Sequence, residues 1–445
     1  MAKDMTEGSP AKLILFFTLP LIAGNIMQQL YAFIDTLLVG RFLGLEALAA
    51  VGCTGSLMFL LLGFVIGLTS GLSIYAGQRY GARDAAGVRK SAAACAVLSF
   101  LTALVLSVIG CFFCRPLLEI MHTPPELLEN ATAFFSTICG GAVFATSALM
   151  AANILRALGD SKMPTIILGV GIAVNIALEV LFLLAFGWGI PGAALATVLS
   201  WVFATGVFLV YIARRVPELH VRRADWRLSW SFLRAHLAIG LPMGFQATII
   251  AFGAVILQVA LNGLGAESVA AYAAAQKVDT IAMMPMMSFG AAMAAYSAQN
   301  YGAGRFSRIR TGVQKCCRMS VGFSILAGAL VIAAGPYLME LFVGAEEAGA
   351  IRLGQTYFLV NGLTYWILSL LFIFRYTLQG LGQSIVPTVA GVMELIMRAT
   401  AGIWLVDALG FLGACAGNPM AWLGSCVPLA VAYFITVRRL PKEAR

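Results

Sequence analysis

The chain has 445 residues, of which 60% are hydrophobic and 11% are charged, and its net charge is +9. Soluble domains carry about 25% charged residues, so this composition excludes an ordinary soluble protein and indicates an integral membrane protein. The basic residues cluster between apolar runs, where they report membrane topology rather than binding to nucleic acid.

Long apolar runs follow one another along the chain, separated by Gly, Pro and charge clusters. They exceed the length of strands and lack alternation of polar and apolar residues, so each predicts a membrane-spanning helix of about 20 residues. The first run lacks a signal-peptide cleavage site, and we expect it to be retained. The twelve predicted helices are 13–39, 48–77, 91–114, 130–156, 165–186, 190–213, 234–261, 268–296, 316–336, 354–378, 388–409 and 415–437.

Lys and Arg are distributed unequally between the two sides of this topology. If the N-terminus is cytoplasmic, the inside segments hold 23 of these residues, including Lys3, Lys442 and Arg445. The outside segments hold three, Arg41, Arg115 and Arg352. The positive-inside rule therefore predicts that both termini are cytoplasmic.

The second half of the chain repeats motifs of the first at offsets of 221 to 223 residues. Six helices per repeat is an even number, so both halves enter the membrane from the same side. We therefore predict an all-α polytopic protein of two six-helix bundles, related by a pseudo-two-fold axis along the membrane normal. The predicted domains are an N-terminal lobe (1–213), a basic cytoplasmic linker (214–233) and a C-terminal lobe (234–445). The repeated motifs include Leu19-Pro20 and Leu241-Pro242, and QxYGA at 78–82 and 299–303.

Pro20 and Pro242 occupy equivalent positions in the first and seventh helices. A proline inside a helix removes one backbone hydrogen bond and clashes with the preceding turn, so both helices are expected to kink. Between the halves, Trp226 and Trp230 are interleaved with Arg, which suits a surface helix at the lipid headgroups. A basic loop that only follows the topology is the alternative.

Few acids and amides lie inside the predicted helices of the first half. An acid near the bilayer centre costs about 2.5–3.5 kcal/mol on insertion scales, so Asp35 is expected to face a cavity or a partner. The alternative is an acid near a helix end that reaches the headgroups. Asn175 and Glu179 are four residues apart on the fifth helix and therefore share a face. The equivalent positions of the second half hold Leu257, Met397 and Ala401.

Depth in the membrane connects these residues with Thr197 of the sixth helix. At 1.5 Å per residue, Asp35, Glu179 and Thr197 lie about 8, 12 and 10 Å from the outer ends of their helices. Two carboxylates, an amide oxygen and a hydroxyl in one layer suit a hard cation such as Na⁺, or a carboxylate pair that takes up a proton. We predict a cation- or proton-binding site at Asp35, Asn175, Glu179 and Thr197, with H⁺ or Na⁺ as the coupling ion and no cofactor.

The second half carries a different polar set in its eighth, tenth and eleventh helices. Glu394 precedes Arg398 by four residues, which is a favourable spacing for an ion pair. Two interpretations stay open: a structural ion-pair network, or a substrate cleft that contacts an anionic group. The set comprises Lys277, Asp279, Arg375, Gln379, Glu394 and Arg398.

Over its whole length the chain resembles the multidrug and toxic compound extrusion (MATE) family, within the multidrug/oligosaccharidyl-lipid/polysaccharide exporter superfamily. It is most similar to the prokaryotic DinF-like branch. The resemblance rests on the repeated QxYGA element, the six-plus-six layout, the stretch GLEALAAVG, and the LP-x14-D-x4-G opening formed by Leu19, Pro20, Asp35 and Gly40.

The resemblance implies that Asp35, Asn175, Glu179 and Thr197 form the cation-binding site of the N-terminal lobe, and that Pro20 takes part in helix bending. The sequence departs from the branch at position 179, where Asp is usual. The longer side chain leaves the choice between Na⁺ and H⁺ open.

These observations lead us to expect an ion-coupled antiporter of a prokaryotic inner membrane, which exports amphipathic, often cationic, organic compounds by alternating access. The alternative is a flippase for a lipid-linked precursor or anionic lipid, favoured by the cations of the second half. An intramembrane enzyme would need a nucleophile with a base or a metal set, and the sequence shows no such grouping. We expect a monomer whose partners are a small amphipathic substrate and membrane lipid, without nucleic acid.

Overall fold

The computed structural model describes residues 4–441, so Lys3, Lys442 and Arg445 lie outside the described residues. The described chain is helical almost throughout and contains no strand, which confirms the all-α prediction. By length and apolar composition, nine of its helices qualify as membrane spans. Two further helix pairs, each bent by 47°, qualify when each pair is taken as one span.

One of the nine helices contains two spans. Pro10–Gly81 has 72 residues, and a straight helix of that length would measure about 108 Å, against about 30 Å for the hydrocarbon core. Gly44 interrupts it with φ 85° and ψ −179°. The described part of the chain therefore contains the twelve predicted spans.

We number the spans in chain order. They are α1 (10–43), α2 (45–81), α3 (Ala85–Ile120), α4 (Pro125–Gly140 with Ala142–Ala157), α5 (Lys162–Ala185), α6 (Gly189–Arg215), α7 (Trp230–Asn262), α8 (Ala266–Gly302), α9 (Phe306–Val343), α10 (Ala348–Gly362 with Tyr365–Gly380), α11 (Ile385–Leu409) and α12 (Phe411–Arg439).

The repeat seen in the sequence extends to the backbone. Gly44 and Gly265 both adopt positive φ, 85° and 93°, immediately before α2 and α8. The breaks within α4 and α10 are also equivalent, and the sequence did not predict them. One π-helical turn occurs in α5 at Leu181–Ala185 and one in α11 at Ala401–Leu405. Each half therefore repeats the same irregularities as well as the same spans.

The chain forms two compact units. The first turns of α1 belong to unit 2, and the first turns of α7 belong to unit 1. Unit 1 contains Asp4 and Ala23–Gly244, and unit 2 contains Met5–Ile22 and the chain from Phe245 onward. The predicted lobes follow the repeat whereas the units follow packing, so the lobe boundaries at 213 and 234 stay predictions. The chain passes from one unit to the other after Ile22 and again after Gly244. Pro20 and Pro242 lie two residues before these two points.

Within unit 1, the start of α7 packs closely on α2. A Cβ atom added at Gly71 would lie 2.7 Å from the Cα atom of Gly240, and one added at Gly67 would overlap the carbonyl oxygen of Met243. Small residues allow two helix backbones to approach in this way. Within unit 2, Ile14 and Phe17 of α1 are buried in the largely apolar core.

The linker before α7 forms two short 3₁₀ turns, Pro217–Leu219 and Arg223–Trp226, rather than a surface helix. Asp225 fixes it, because its carboxylate accepts from Arg89 Nε at 3.2 Å and from the backbone N–H of Arg222 at 2.8 Å. Trp226 and Trp230 are nevertheless exposed, as an interfacial segment requires.

Candidate functional site

The predicted site residues of the first half come from three helices of unit 1. Asp35 lies on α1, Asn175 and Glu179 lie one turn apart on α5, and Thr197 lies on α6. Asn175 and Glu179 are 2% and 0% exposed, and Asp35 and Thr197 are partly buried. The four-residue spacing on α5 therefore places an amide and an acid together on the buried face of an apolar helix.

The structure brings the four side chains together. Asn175 Nδ2 donates to Thr197 Oγ1 at 3.2 Å, and Thr197 Oγ1 donates to the carbonyl of Ala193, also at 3.2 Å. The carboxyl groups of Asp35 and Glu179 are neighbours and interact directly with each other. Their shared location agrees with the depth estimate from the sequence, while their role in binding an ion stays a prediction.

Tyr31 is a fifth member of this cluster, which the sequence analysis missed. Its hydroxyl donates to Asp35 Oδ1 at 3.4 Å and lies beside the hydroxyl of Thr197. The signal was present in the sequence, because Tyr31 precedes Asp35 by four residues and therefore lies on the same face of α1.

Three oxygens of the cluster receive no hydrogen bond from the part of the chain that the structure describes. They are Asn175 Oδ1 and both carboxylate oxygens of Glu179, all buried. Ionised carboxylates only accept hydrogen bonds, so the contact between Asp35 and Glu179 becomes a hydrogen bond only when one of them carries a proton. The pair can therefore hold one proton, or its oxygens together with Asn175 Oδ1 can hold a hard monovalent cation.

The cluster gives less support to binding of a metal ion other than a hard monovalent cation. Within residues 4–441 no group of three or more His, Cys, Asp or Glu side chains is arranged to hold a metal ion. The remaining ligands at the acid pair are neutral oxygens, which suit Na⁺. A π-helical turn begins at Leu181, two residues after Glu179. Such turns insert one extra residue into a helix and are frequent at functional sites.

The second-half residues form three buried groups and one exposed side chain, all in unit 2. Glu394 Oε1 makes a short contact with Arg375 Nη2, which also donates to Ser425 Oγ at 3.1 Å. Glu394 Oε2 lies 4.0 Å from Arg398 Nη2, and Arg398 Nη1 donates to the carbonyl of Ile250 at 3.2 Å. The predicted pair of Glu394 and Arg398 is thus the weaker half of an arginine–glutamate–arginine group.

Asp279 belongs to a separate group. It is 1% exposed, and its carboxylate accepts from the hydroxyls of Tyr357, at 3.0 Å, and Tyr365. Lys277, two residues earlier on α8, is exposed and does not join it.

Gln379 instead donates to Gln246 Oε1 at 2.9 Å, and Gln246 donates to the carbonyl of Pro387 at 2.6 Å. The six second-half candidates therefore do not make one site. The tyrosines and Gln246 come from distant helices, and no spacing in the sequence connects them with these residues.

One cavity lies beside the polar groups of unit 2, and another lies at helix ends in unit 1. A cavity of about 120 Å³ in unit 2 is lined by Asp279, Arg398, Tyr272, Asn418 and Trp422 among others. A larger one of about 260 Å³ lies in unit 1 where α2, α4 and α6 end, and its lining includes Asp160, Tyr211 and Arg215. The larger cavity is lined by none of the Asp35 cluster, so volume alone does not mark the acid pair.

Known proteins resemble this chain in both sequence and fold. The MatE family model matches residues 20–181 and 242–403, two segments that begin 222 residues apart, as the internal repeat requires. A Bacillus subtilis (strain 168) protein named probable multidrug resistance protein YpnP is 29% identical over 358 residues, which cover 80% of this chain and 79% of that protein.

A Shewanella oneidensis protein named FAD transporter is 25% identical over 396 residues, which cover 87% of this chain and 86% of that protein. Among solved structures, an outward-facing multidrug resistance MATE family transporter of the MOP superfamily aligns with a TM-score of 0.92. The alignment covers 99% of this chain and 98% of that chain at 21% identity. This likeness shows the fold, an all-helical arrangement of two repeats.

Proposed function

The chain belongs to the MatE family, and from that premise we propose that it is an ion-coupled antiporter, which exports amphipathic, often cationic, organic compounds by alternating access. The observation that carries the proposal is the contact between the carboxyl groups of Asp35 and Glu179. Acids within membrane-spanning helices are rare, costly and usually functional. Here Glu179 is buried among apolar helices with both carboxylate oxygens left as acceptors, and Asp35 is partly buried beside it.

The pair supplies a reason for the protein to respond to an ion. Two neighbouring ionised carboxylates repel each other strongly in a medium of low dielectric constant. One proton or one Na⁺ removes the repulsion and draws α1 and α5 together. A ligand shifts a conformational equilibrium only when it binds one state more tightly than the other, and this closure provides the difference.

The membrane potential can supply the work. Inward movement of one charge down 100 mV releases about 2.3 kcal/mol, which supports roughly a fifty-fold gradient of exported compound if coupling is one to one and the exchange carries that net charge. Pro20 and Pro242 lie beside the positions where the chain passes between the two compact units, which supports bending of α1 and α7 during the cycle.

We place the protein in the inner membrane of a prokaryotic cell with both termini cytoplasmic. The distribution of Lys and Arg, 23 inside against three outside, supports this orientation. We propose a monomer that acts as a transporter and has no enzymatic activity, with H⁺ or Na⁺ as the only ion required. Its partners are then the exported compound and membrane lipid.

An alternative cargo is a lipid-linked precursor or another anionic compound. The group of Arg375, Glu394 and Arg398 carries one more positive than negative charge, which supports an acidic ligand. The relative named FAD transporter also bears a name that indicates an anionic cargo. The positive charge lies in unit 2, so this alternative is compatible with ion coupling in unit 1.

The test is transport by the purified full-length protein in proteoliposomes, using a fluorescent lipophilic cation and Na⁺ or H⁺ gradients imposed separately. Asp35→Asn and Glu179→Gln are compared with the wild type, and Asp407→Asn serves as the control because Asp407 is an exposed acid near the end of α11. We expect one gradient to drive transport, both site variants to abolish it, and the control to retain it.

If neither gradient moves the dye, the multidrug proposal is wrong, and acidic cargo is tested next with Arg375→Gln and Arg398→Gln. If both site variants transport as well as the control, the acid pair is not the coupling site. Size-exclusion chromatography of each variant in detergent separates a loss of coupling from a loss of folding.

A further inference from the structure

Two opposite charges without full counter-charges line one cavity of unit 2. We propose that this cavity binds the charged end of a zwitterionic compound, with the ammonium group at Asp279 and the acidic group at Arg398. The inference rests on the proposed export function only for its biological role, since binding itself needs no ion gradient.

Asp279 provides a negative charge that is held by hydroxyl groups. Both of its carboxylate oxygens are held by hydroxyl groups, those of Tyr357 and Tyr365. Such donors stabilise an ionised carboxylate without neutralising it. Within the described residues no Lys, Arg or His lies within 4.0 Å of Asp279, and Lys277 on the same helix is exposed.

The walls near Asp279 suit an ammonium group. Tyr272 and Trp422 line the cavity, and the Tyr272 ring stands edge-on to the Tyr357 ring with centroids 5.0 Å apart. Faces of aromatic rings attract cations, and an amide oxygen accepts from an ammonium N–H. Asn418 supplies that amide, because its Nδ2 points to the hydroxyls of Tyr357, at 3.4 Å, and Tyr272, at 3.5 Å, which leaves its oxygen for a ligand.

Arg398 provides the positive charge. Glu394 is shared between two guanidinium groups, and the short contact with Arg375 takes one of its oxygens. Arg398 is left with a 4.0 Å separation from the other oxygen, and its buried Nε has no hydrogen-bond partner. A guanidinium group binds carboxylates and phosphates through paired N–H donors, so the incompletely paired guanidinium of Arg398 in the cavity lining favours an acidic ligand group.

The two charges together disfavour ligands that carry only one charge. A plain cation at Asp279 would meet the excess charge of Arg398, and a plain anion at Arg398 would meet Asp279 in the same cavity. A zwitterion supplies both missing partners. The volume of about 120 Å³ is small against the roughly 300–1,000 Å³ of pockets for drug-sized ligands, so the cavity receives the charged end while the apolar body extends beyond it.

The test uses three probes that share a dansyl group on a five-carbon chain and differ only in charge. Nε-dansyl-lysine carries an ammonium and a carboxylate, dansylcadaverine lacks the carboxylate, and 6-(dansylamino)hexanoic acid lacks the ammonium. Binding to the purified full-length protein in detergent is followed by dansyl fluorescence. We expect the wild type to bind the lysine derivative at least about tenfold more tightly than either single-charge probe.

Variants assign the two charges. Arg398→Gln should raise the Kd of Nε-dansyl-lysine about tenfold or more, to that of dansylcadaverine, without weakening dansylcadaverine. Asp279→Asn should weaken both ammonium probes. Lys277→Gln is the matched control, since it removes a cation from α8 outside the cavity lining, and it should change none of the three Kd values.

Equal wild-type affinity for the three probes, or tightest binding of a single-charge probe, would overturn the proposal without recourse to any variant. Retained preference for the zwitterion in Arg398→Gln would also overturn it. Ion-driven transport of a lipophilic cation with no zwitterion preference defeats this inference alone. Zwitterion preference without gradient-driven transport defeats the antiporter proposal alone.

Discussion

The carboxyl groups of Asp35 on α1 and Glu179 on α5 are direct neighbours, and a pair of ionised carboxylates has no proton to share between its oxygens. One shared proton satisfies the pair, and so does one monovalent cation between the oxygens. The position of α1 therefore depends on whether the acid pair holds a proton or a cation. Substitutions of side chains around the pair should weaken ion binding by different amounts.

Shortening the acid of α5 should weaken the site without removing it. Glu179→Asp withdraws the carboxylate by one methylene, so we expect transport to persist with the half-saturating ion concentration raised about tenfold, equivalent to about 1.4 kcal/mol. Glu179→Gln keeps the length and removes the charge, so ion dependence should disappear. Initial transport rates across a series of Na⁺ concentrations and pH values distinguish the two variants. An unchanged ion dependence in Glu179→Asp would show that side-chain length does not set affinity.

Removing one hydroxyl should weaken ion binding while leaving the fold intact. Tyr31→Phe removes a donor to Asp35 and a contact to Thr197. A hydrogen bond to a charged group contributes about 1.5–3 kcal/mol, so ion affinity should fall by at least about tenfold. Tyr337→Phe is the control, because Tyr337 is 75% exposed on α9. Equal affinities of the two variants would remove Tyr31 from the site.

The arginine–glutamate–arginine group should matter more for stability than an exposed ion pair. Arg375→Met leaves Glu394 buried with only the distant Arg398, and breaking a buried pair costs about 3–5 kcal/mol. Arg115→Gln interrupts the exposed pair with Glu119 and should cost less than about 1 kcal/mol. Thermal unfolding in detergent compares the two variants. Similar melting temperatures would mean that the buried group is compensated elsewhere.

Close helix packing in unit 1 should make Gly71 intolerant of a methyl group. A Cβ at Gly71 would lie 2.7 Å from the Cα of Gly240, so Gly71→Ala should destabilise the protein by about 1–3 kcal/mol. A Cβ at Gly206 would meet nothing within 4 Å, and Gly206→Ala should stabilise α6 by up to about 1 kcal/mol. The same unfolding assay measures both changes, and a stabilised Gly71→Ala would contradict the packing described for α2 and α7.

The sequence predicted the spans because hydrophobic length and charge placement act locally. All twelve helices occur, although α9 begins at Phe306, ten residues before its predicted start, because its basic first turns are helical as well. The breaks within α4 and α10 were not predicted. They depend on tertiary packing: a Cβ at Gly141, the break of α4, would lie 2.5 Å from Val198 of α6.

The sequence placed Asp35, Asn175, Glu179 and Thr197 at one depth because helix geometry converts residue number into distance. It could not assign the second-half residues to partners, since depth says nothing about which face of a helix meets which neighbour. Asp279 and Glu394 therefore appeared as one set although they belong to different groups. The aromatic partners of Asp279 come from α10, about eighty residues away in the chain.

The exchange of the first turns of α1 and α7 has a consequence for biosynthesis. Unit 1 is complete only when the ribosome has added Trp230–Gly244, and the segment Met5–Ile22 must wait for α8 and its neighbours before it finds its apolar partners. Neither half of the gene should thus yield a stable product alone. Two fragments divided at the linker should regain structure only when they are produced together.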